Sequence, residues 1–489
     1  MKYKFVSQFD KREKADVLVL PFWEKERKAP LSLESFIEPV FATGDFKGKN
    51  GETFFVYPKD GKEARILLLG LGHEDKGSIE FLRRAIASAL RAIKSVKAKS
   101  ANIVIPKHKK LDHKEILIGF WEGILLSNYS FHKLMGEGLK DAPSFLEKVG
   151  LVGIELKDTK ILEETSTIME GVYFARDLVN DNADEIIPFH LAETAREIEK
   201  VSPKIKTTIR DRAWLEKQKM GLILAVNRAS HVDPFLIEVA YKGNPKSKQH
   251  IVLVGKGVTY DTGGLSIKPT DGMCGMKSDM AGAAAVLATV RTIAQLNLKV
   301  NVTVVVPSVE NAIGSKSYKL GDVYRSYSGK TVEINNTDAE GRLILADALS
   351  YTVKNLHPSL IIDLATLTGS VVVTFGEMMA GFCSNDETLA KDLLNASSKT
   401  SDALWRLPLI NEYKESFKSD IADLVNSGGR DAGAIKGALF LQEFIGNTKW
   451  AHLDIAGAAY WSKSKYYHPT KATGYGVQLL VEYLKHIHE

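Results

Sequence analysis

Two cysteines in 489 residues are too few for a disulfide framework. Cys274 and Cys383 therefore point to a reducing compartment, and the cytoplasm is the expected location. Long apolar runs are missing too. Stretches such as 66–71 and 251–255 fall far short of the ~20 residues that cross a bilayer, so no membrane association is expected. Charges at Lys2, Lys4, Asp10, Lys11, Arg12, Glu13, Lys14 and Asp16 break up any apolar segment near residue 1, which argues against a secretory signal. Several sequence patterns with known chemistry are also absent. There is no HExxH, no paired CxxC, no GxSxG and no GxxxxGK followed by Ser or Thr. Gly70-Leu71-Gly72 and Gly255-Lys256-Gly257 are fragments too short to claim a dinucleotide site. The 12 histidines are dispersed, for instance His190, His231, His250 and His452, so none is assigned as a ligand.

What remains is a chain of ordinary globular composition, 44% hydrophobic and 26% charged, long enough for two domains. Its net charge of +5 is unevenly spread. Residues 1–150 hold 27 Lys+Arg against 20 Asp+Glu, and the remainder 38 against 40. Lys94, Lys97, Lys99, Lys107, Lys109 and Lys110 are scattered among apolar positions, as on a solvated surface. No aromatic–basic platform accompanies them, so nucleic acid is the weaker partner reading.

Apolar periodicity predicts strands at 16–21, 53–57, 65–71 and 101–106, with helices over 79–96 and around 116–127. A connecting helix is expected at 163–180. The pattern then restarts, with strands at 205–209, 251–255, 300–308, 332–335, 359–364 and 452–455. Helices are expected at 280–296, 342–356 and 474–487. Continuous apolar strands separated by helices imply α/β layers with sheets buried on both faces.

Two polar, glycine-containing segments follow buried strands. One is IVLVGKGVTYDTGGLSIKPTDGMCGMKSDMAGAAA (251–285), with Lys256, Asp261, Lys268 and Asp279; the other is VEINNTDAEGRLIL (332–345), with Asp338, Glu340 and Arg342. Sites in open α/β sheets form past the carboxyl ends of strands, where both segments are expected to lie. An extended backbone would turn Asp338, Glu340 and Arg342 to one side. Four carboxylates in one place repel unless cations separate them, and two divalent ions sharing carboxylates and a water resolve the conflict. Each residue also has a plainer reading. Asp279 and Asp338 could be helix caps, and Lys256 and Arg342 ordinary ion-pair partners.

These segments resemble the leucyl (cytosol) aminopeptidase family. NTDAEGRL at 336–343 is identical to the family signature, and KGVTYDTGGLSIKP (256–269), SDMAGAAAV (278–286), DLATLTG (363–369) and WAHLDIAG (450–457) resemble its other blocks in order. The resemblance covers 171 to the C-terminus. It implies an N-terminal macro-like α/β domain (1–155), a connecting helix (156–185) and a larger catalytic α/β domain (186–489) with a central mixed sheet. It further implies Lys256, Asp261, Asp279, Asp338 and Glu340 as metal ligands, Asp261 and Glu340 bridging two ions. Lys268 and Arg342 correspond to the catalytic cations, Arg342 holding a bicarbonate that acts as general base. Met276, Thr366, Gly369 and Ala456 match the pocket for the first side chain, although by themselves Met276 and Ala456 read as core. Zinc or manganese is implied, with magnesium or cobalt also admissible to an oxygen-rich site. The implied substrates are peptides with a free N-terminus, and the implied assembly is a homohexamer. Leu320, Asp431-Ala432 and Cys274-Gly275 depart from the family pattern, all away from the implied ligands. Two other classes compete: a two-metal phosphoesterase, for which nearby histidines are missing, and a nucleic-acid-binding protein using the basic N-terminal half.

Overall fold

The computed structural model describes residues 1–28, 30–141 and 145–487. It forms two compact units, one of Met1–Met169 with Lys463–Thr470, the other of Glu170–Ser462 with Lys471–Glu489. The change of unit falls inside the 22-residue helix Thr159–Asn180.

In the first unit, β1 (Lys2–Val6), β2 (Ala15–Phe22), β3 (Thr53–Val56), β4 (Glu63–Gly70), β5 (Ser100–Val104) and β6 (Lys148–Val152) pair in the order β1-β6-β5-β2-β4-β3. Only the edge strand β3 runs antiparallel to its neighbour. The helix Ile79–Ser95 starts at Ser78, whose hydroxyl accepts the Phe81 amide, and it buries Leu82, Ile86, Leu90 and Ile93 along one face. A capping box of Asp112 and Glu115 opens His113–Asn128. Two strands and a helix here were not expected from the sequence. β1 alternates lysine with apolar residues, and the helix Glu34–Thr43 contains Pro39, which weakens any helical signal.

The second unit holds β7 (Ile205–Arg210), β8 (Phe235–Lys242), β9 (Ile251–Gly255), β10 (Gly257–Asp261), β11 (Asn301–Asn311), β12 (Val323–Arg325) and β13 (Thr331–Glu333). It continues with β14 (Leu360–Ala365), β15 (Ala380–Ser384), β16 (Leu404–Arg406), β17 (Leu424–Val425) and β18 (Lys449–Asp454). The main sheet runs β16-β15-β18-β14-β9-β11-β8-β7, with β10 paired to β11. β18, β14, β9 and β11 are mutually parallel, whereas β15 runs antiparallel to β18 and β8 antiparallel to both its neighbours, so the sheet is mixed. Every residue of β9 and β14 is buried, which explains their unbroken apolar runs.

The helix Ala281–Gln295 is rich in small residues because it lies close against this sheet. A Cβ on Gly282 would come within 2.2 Å of the Leu364 carbonyl oxygen, and larger side chains would push the helix away.

Two local expectations need correction. The strand expected at 332–335 is real but short, and it belongs to a separate three-stranded sheet, β12-β13-β17. The chain is not extended through Asp338–Arg342: a helix begins at Glu340, so Glu340 and Arg342 occupy its first turn.

Candidate active site

The carboxyl ends of five strands meet at one edge of the main sheet. β9 leads into Lys256, β10 ends at Asp261, β11 at Asn311, β14 leads into Thr366, and β18 ends at Asp454. This is the position at which open α/β sheets place their sites. The helix Glu340–Tyr351 adds Glu340 and Arg342 from its N-terminal turn, and the short turn Met276–Met280 adds Asp279.

The acids and lysines interlock. Lys256 Nζ lies 2.8 Å from Asp279 Oδ1 and 2.9 Å from Glu340 Oε1, and donates to the Thr366 carbonyl at 2.8 Å. Lys268 Nζ lies 2.9 Å from Asp261 Oδ2 and 2.5 Å from Asp338 Oδ1. The Thr366 hydroxyl donates to Asp279 Oδ1 at 2.7 Å, and Asn311 Nδ2 to Asp261 Oδ1 at 2.8 Å. Gly341 is part of the fit. A Cβ there would sit 2.5 Å from Lys256 Cε, so glycine is what lets the lysine lie across the helix start.

Capping does not account for the acids. The residues in the cap positions are Met280 and Ala339, neither with a side-chain cap bond. Lys256 and both its acids are nearly inaccessible, at 2% for Lys256 and Glu340 and 5% for Asp279. Burial pushes the carboxyls of Asp261, Asp279 and Asp338 above the usual range, and the Glu340 charge adds to the effect at Asp261 and Asp279. Burial works against the Lys256 ammonium as well, but the carboxylates of Asp279, Glu340 and Asp261 outweigh it and hold it above its ordinary value. Lys268 is held up in the same way by Asp261 and Glu340. Arg342 is the opposite case: burial pulls it down to about 10 against the weaker support of Glu340 and Asp454. Its Nη1 donates to the Asn426 carbonyl at 3.0 Å, while its buried Nε has no hydrogen-bond partner among the described residues.

The donor set suits cations. One oxygen each from Asp261, Asp338 and Glu340 lies within 4.8 Å of the others. Asp279 Oδ2 and Glu340 Oε2 are buried without a hydrogen-bond partner among the described residues. Carboxylate oxygens left that way are costly, and a hard divalent ion with oxygen preference removes the cost.

The remaining expected residues frame this cluster. Met276 opens the turn that bears Asp279, and Gly369 starts the helix Gly369–Phe375 with open space beside it. The Ala456 amide donates to Asp454 Oδ1 at 3.3 Å, and the Leu367 amide to the same oxygen at 3.1 Å. Asn311 and Asp454 escaped the sequence reading. The signal available was a polar residue closing a largely buried strand in each case.

Fold and site together define an α/β enzyme with a buried acid–lysine centre at the strand ends. The catalytic domain of the cytosol aminopeptidase family matches residues 173–481, and that family's N-terminal domain matches residues 19–137. A probable cytosol aminopeptidase of Protochlamydia amoebophila is 48% identical, covering 100% of this chain and 99% of that protein. Another from Chlamydia trachomatis serovar A is 46% identical over 98% of both. Among solved structures, a tomato leucine aminopeptidase mutant superposes with a TM-score of 0.87 at 31% identity, covering 99% of this chain and 96% of that one. The bottromycin maturation enzyme BotP in complex with Mn gives 0.87 at 30% identity, covering 97% and 100%. The chain belongs to the cytosol aminopeptidase family and is a hydrolase of the aminopeptidase class.

Proposed function

We propose that the protein is a two-metal leucyl-type aminopeptidase that removes the first residue from peptides with a free N-terminus. The observation behind this reading is the convergence of oxygens of Asp261, Asp338 and Glu340 within 4.8 Å, with one buried oxygen each of Asp279 and Glu340 lacking a partner among the described residues. Asp261, Asp279, Asp338 and Glu340 would hold two divalent ions together with Lys256, whose amine can join only in its neutral form, a form that a neighbouring dication favours over the ammonium. Zinc or manganese come first, magnesium or cobalt as substitutes. When bound, such ions acidify a shared water and polarise the scissile carbonyl.

The chain's own groups do the rest. Thr366 fixes Lys256 through its carbonyl and Asp279 through its hydroxyl, so the two act as one rigid element. Lys268, largely buried, places its positive charge where the oxyanion of the tetrahedral intermediate develops. Arg342 presents a buried guanidinium edge that suits bicarbonate, a planar anion able to take a proton from the attacking water. Met276, Thr366, Gly369 and Ala456 border the space for the leaving residue's side chain. On the family resemblance, the same reading includes a cytoplasmic homohexamer.

The test is a panel of aminoacyl p-nitroanilides assayed before chelation, after it, and after re-addition of each ion. Chelation is expected to abolish hydrolysis, and zinc or manganese to restore it best. Full turnover in chelated protein shown to be free of metal would end the two-ion reading. Hydrolysis of a phosphate ester in place of the anilides would replace it with a phosphoesterase.

A further inference from the structure

The acids of the candidate site come from two loops far apart in sequence, and one buried side chain ties the loops together. Thr337 is fully buried. Its hydroxyl donates to the Gly263 carbonyl at 2.6 Å and accepts the Ser266 amide at 2.7 Å, a residue 71 positions away. Its own amide donates back to the Ser266 hydroxyl at 3.1 Å. Its carbonyl accepts from the Tyr318 hydroxyl at 2.6 Å and from Asn311 Nδ2 at 3.1 Å. That same Asn311 amide donates to Asp261 Oδ1 at 2.8 Å, so the network ends on one of the acids. Tyr318 and Asn311 are themselves buried, and solvent does not compete for these bonds.

We infer that Thr337 is a positioning residue for the metal centre. It latches the loop of Asp261 and Lys268 to the segment of Asp338 and Glu340 at the spacing where their oxygens converge. The inference rests on the two-ion reading above.

The physical argument is one of preorganisation. Asp338 is the next residue after Thr337, and Gly263 lies two residues beyond Asp261. A bond across 263 and 337 therefore fixes the separation of the two acids almost directly. With the hydroxyl gone, the Gly263 carbonyl and the Ser266 amide lose their shared partner. The loops then relax apart, and the acids must be brought together by the ions themselves. Losing a partner bonded directly to a ligand typically weakens metal affinity by about 10- to 100-fold. The loss of this tie, which acts on the ligands through the backbone and Asn311, is expected on the same scale. A hydroxyl that merely satisfied backbone groups would affect stability and leave affinity alone.

The experiment is calorimetric titration of metal-stripped protein with Mn2+, using wild type, Thr337→Val, Thr337→Ser and Tyr318→Phe. Valine keeps the branched shape without the hydroxyl; serine keeps the hydroxyl. Thr337→Val is expected to bind Mn2+ about 10- to 100-fold more weakly, and Thr337→Ser to return near wild type. Tyr318→Phe, which removes only a donor to the Thr337 carbonyl, is expected to bind several-fold more weakly. It keeps the question open to refutation even if the valine variant does not fold. Wild-type affinity in Tyr318→Phe and in any folded Thr337→Val, with only their melting temperatures lowered, overturns the latch. Absence of Mn2+ binding by wild type overturns the two-ion reading itself and the latch with it.

Discussion

Each unit of this protein buries a cluster of opposite charges, and the two clusters are finished differently. In the first unit, Arg12 Nε and Nη2 donate to the two oxygens of Glu63 at 2.8 and 3.1 Å. Arg12 Nη1 donates to the Phe9 carbonyl, and Asn102 Nδ2 adds a further bond to Glu63. Every polar edge is occupied. In the second unit, Asp279 Oδ2, Glu340 Oε2 and Arg342 Nε are equally buried and have no hydrogen-bond partner among the described residues. A completed network fixes a fold; an incomplete one is a cost that makes sense where something else binds. The contrast sets a completed structural ion pair against the proposed functional centre.

Three substitutions can break or sharpen that contrast. The largest effect on turnover is expected from Lys268→Ala, which should lower kcat by about 100- to 1000-fold, the usual loss for one charge-stabilising donor. Metal content, measured by elemental analysis, should remain that of wild type. Unchanged turnover would remove Lys268 from the chemistry.

Next comes Glu63→Gln in the finished cluster. Breaking a buried ion pair from one side costs about 3–5 kcal/mol, and here that loss should fall on stability in denaturant while kcat for the folded enzyme stays constant. A fall in kcat with stability intact would reverse the assignment of the two clusters.

The smallest effect concerns His452, which is buried in β18 two residues before Asp454 and shares a 2.6 Å contact with Asp363. Burial opposes its charge, but Asp363 and Asp454 outweigh that and raise the imidazole above its ordinary value. A raised folded-state value means the pair's contribution is complete below the unfolded imidazole value and fades as pH climbs through the folded one. The stability gap between wild type and His452→Gln should therefore narrow with rising pH, by at most about 1.4 kcal/mol per pH unit. A gap that holds steady between pH 6 and 9 would mean that folding leaves the imidazole's proton affinity unchanged, and a gap that widens would mean it is buried neutral.

Much of the architecture was legible along the chain. The apolar runs of β2, β4, β9 and β14 and the amphipathic spacing of Ile79–Ser95 appear in the structure within one or two residues of where periodicity put them. Elements with mixed signals were missed. β8, with Glu238 inside the run, belongs to the sheet because its neighbours pair with it, not because its own pattern is strong. The site's composition was legible too, since both polar segments stood out after buried strands. Its local geometry was misjudged at Asp338–Arg342, where a helix start replaced an extended chain. Ala432 shows the same limit. It adopts φ +52°, a left-handed conformation that no propensity for alanine would suggest.

Sequence alone determined the α/β class, the two polar segments and the family, because periodicity and short motifs are properties of neighbouring residues. Only the tertiary structure decided that Lys256 lies between Asp279 and Glu340, that Lys268 lies between Asp261 and Asp338, and that Thr337 joins the two loops. Those relations depend on how strands far apart in the chain end at one sheet edge, and burial there sets what each charge costs.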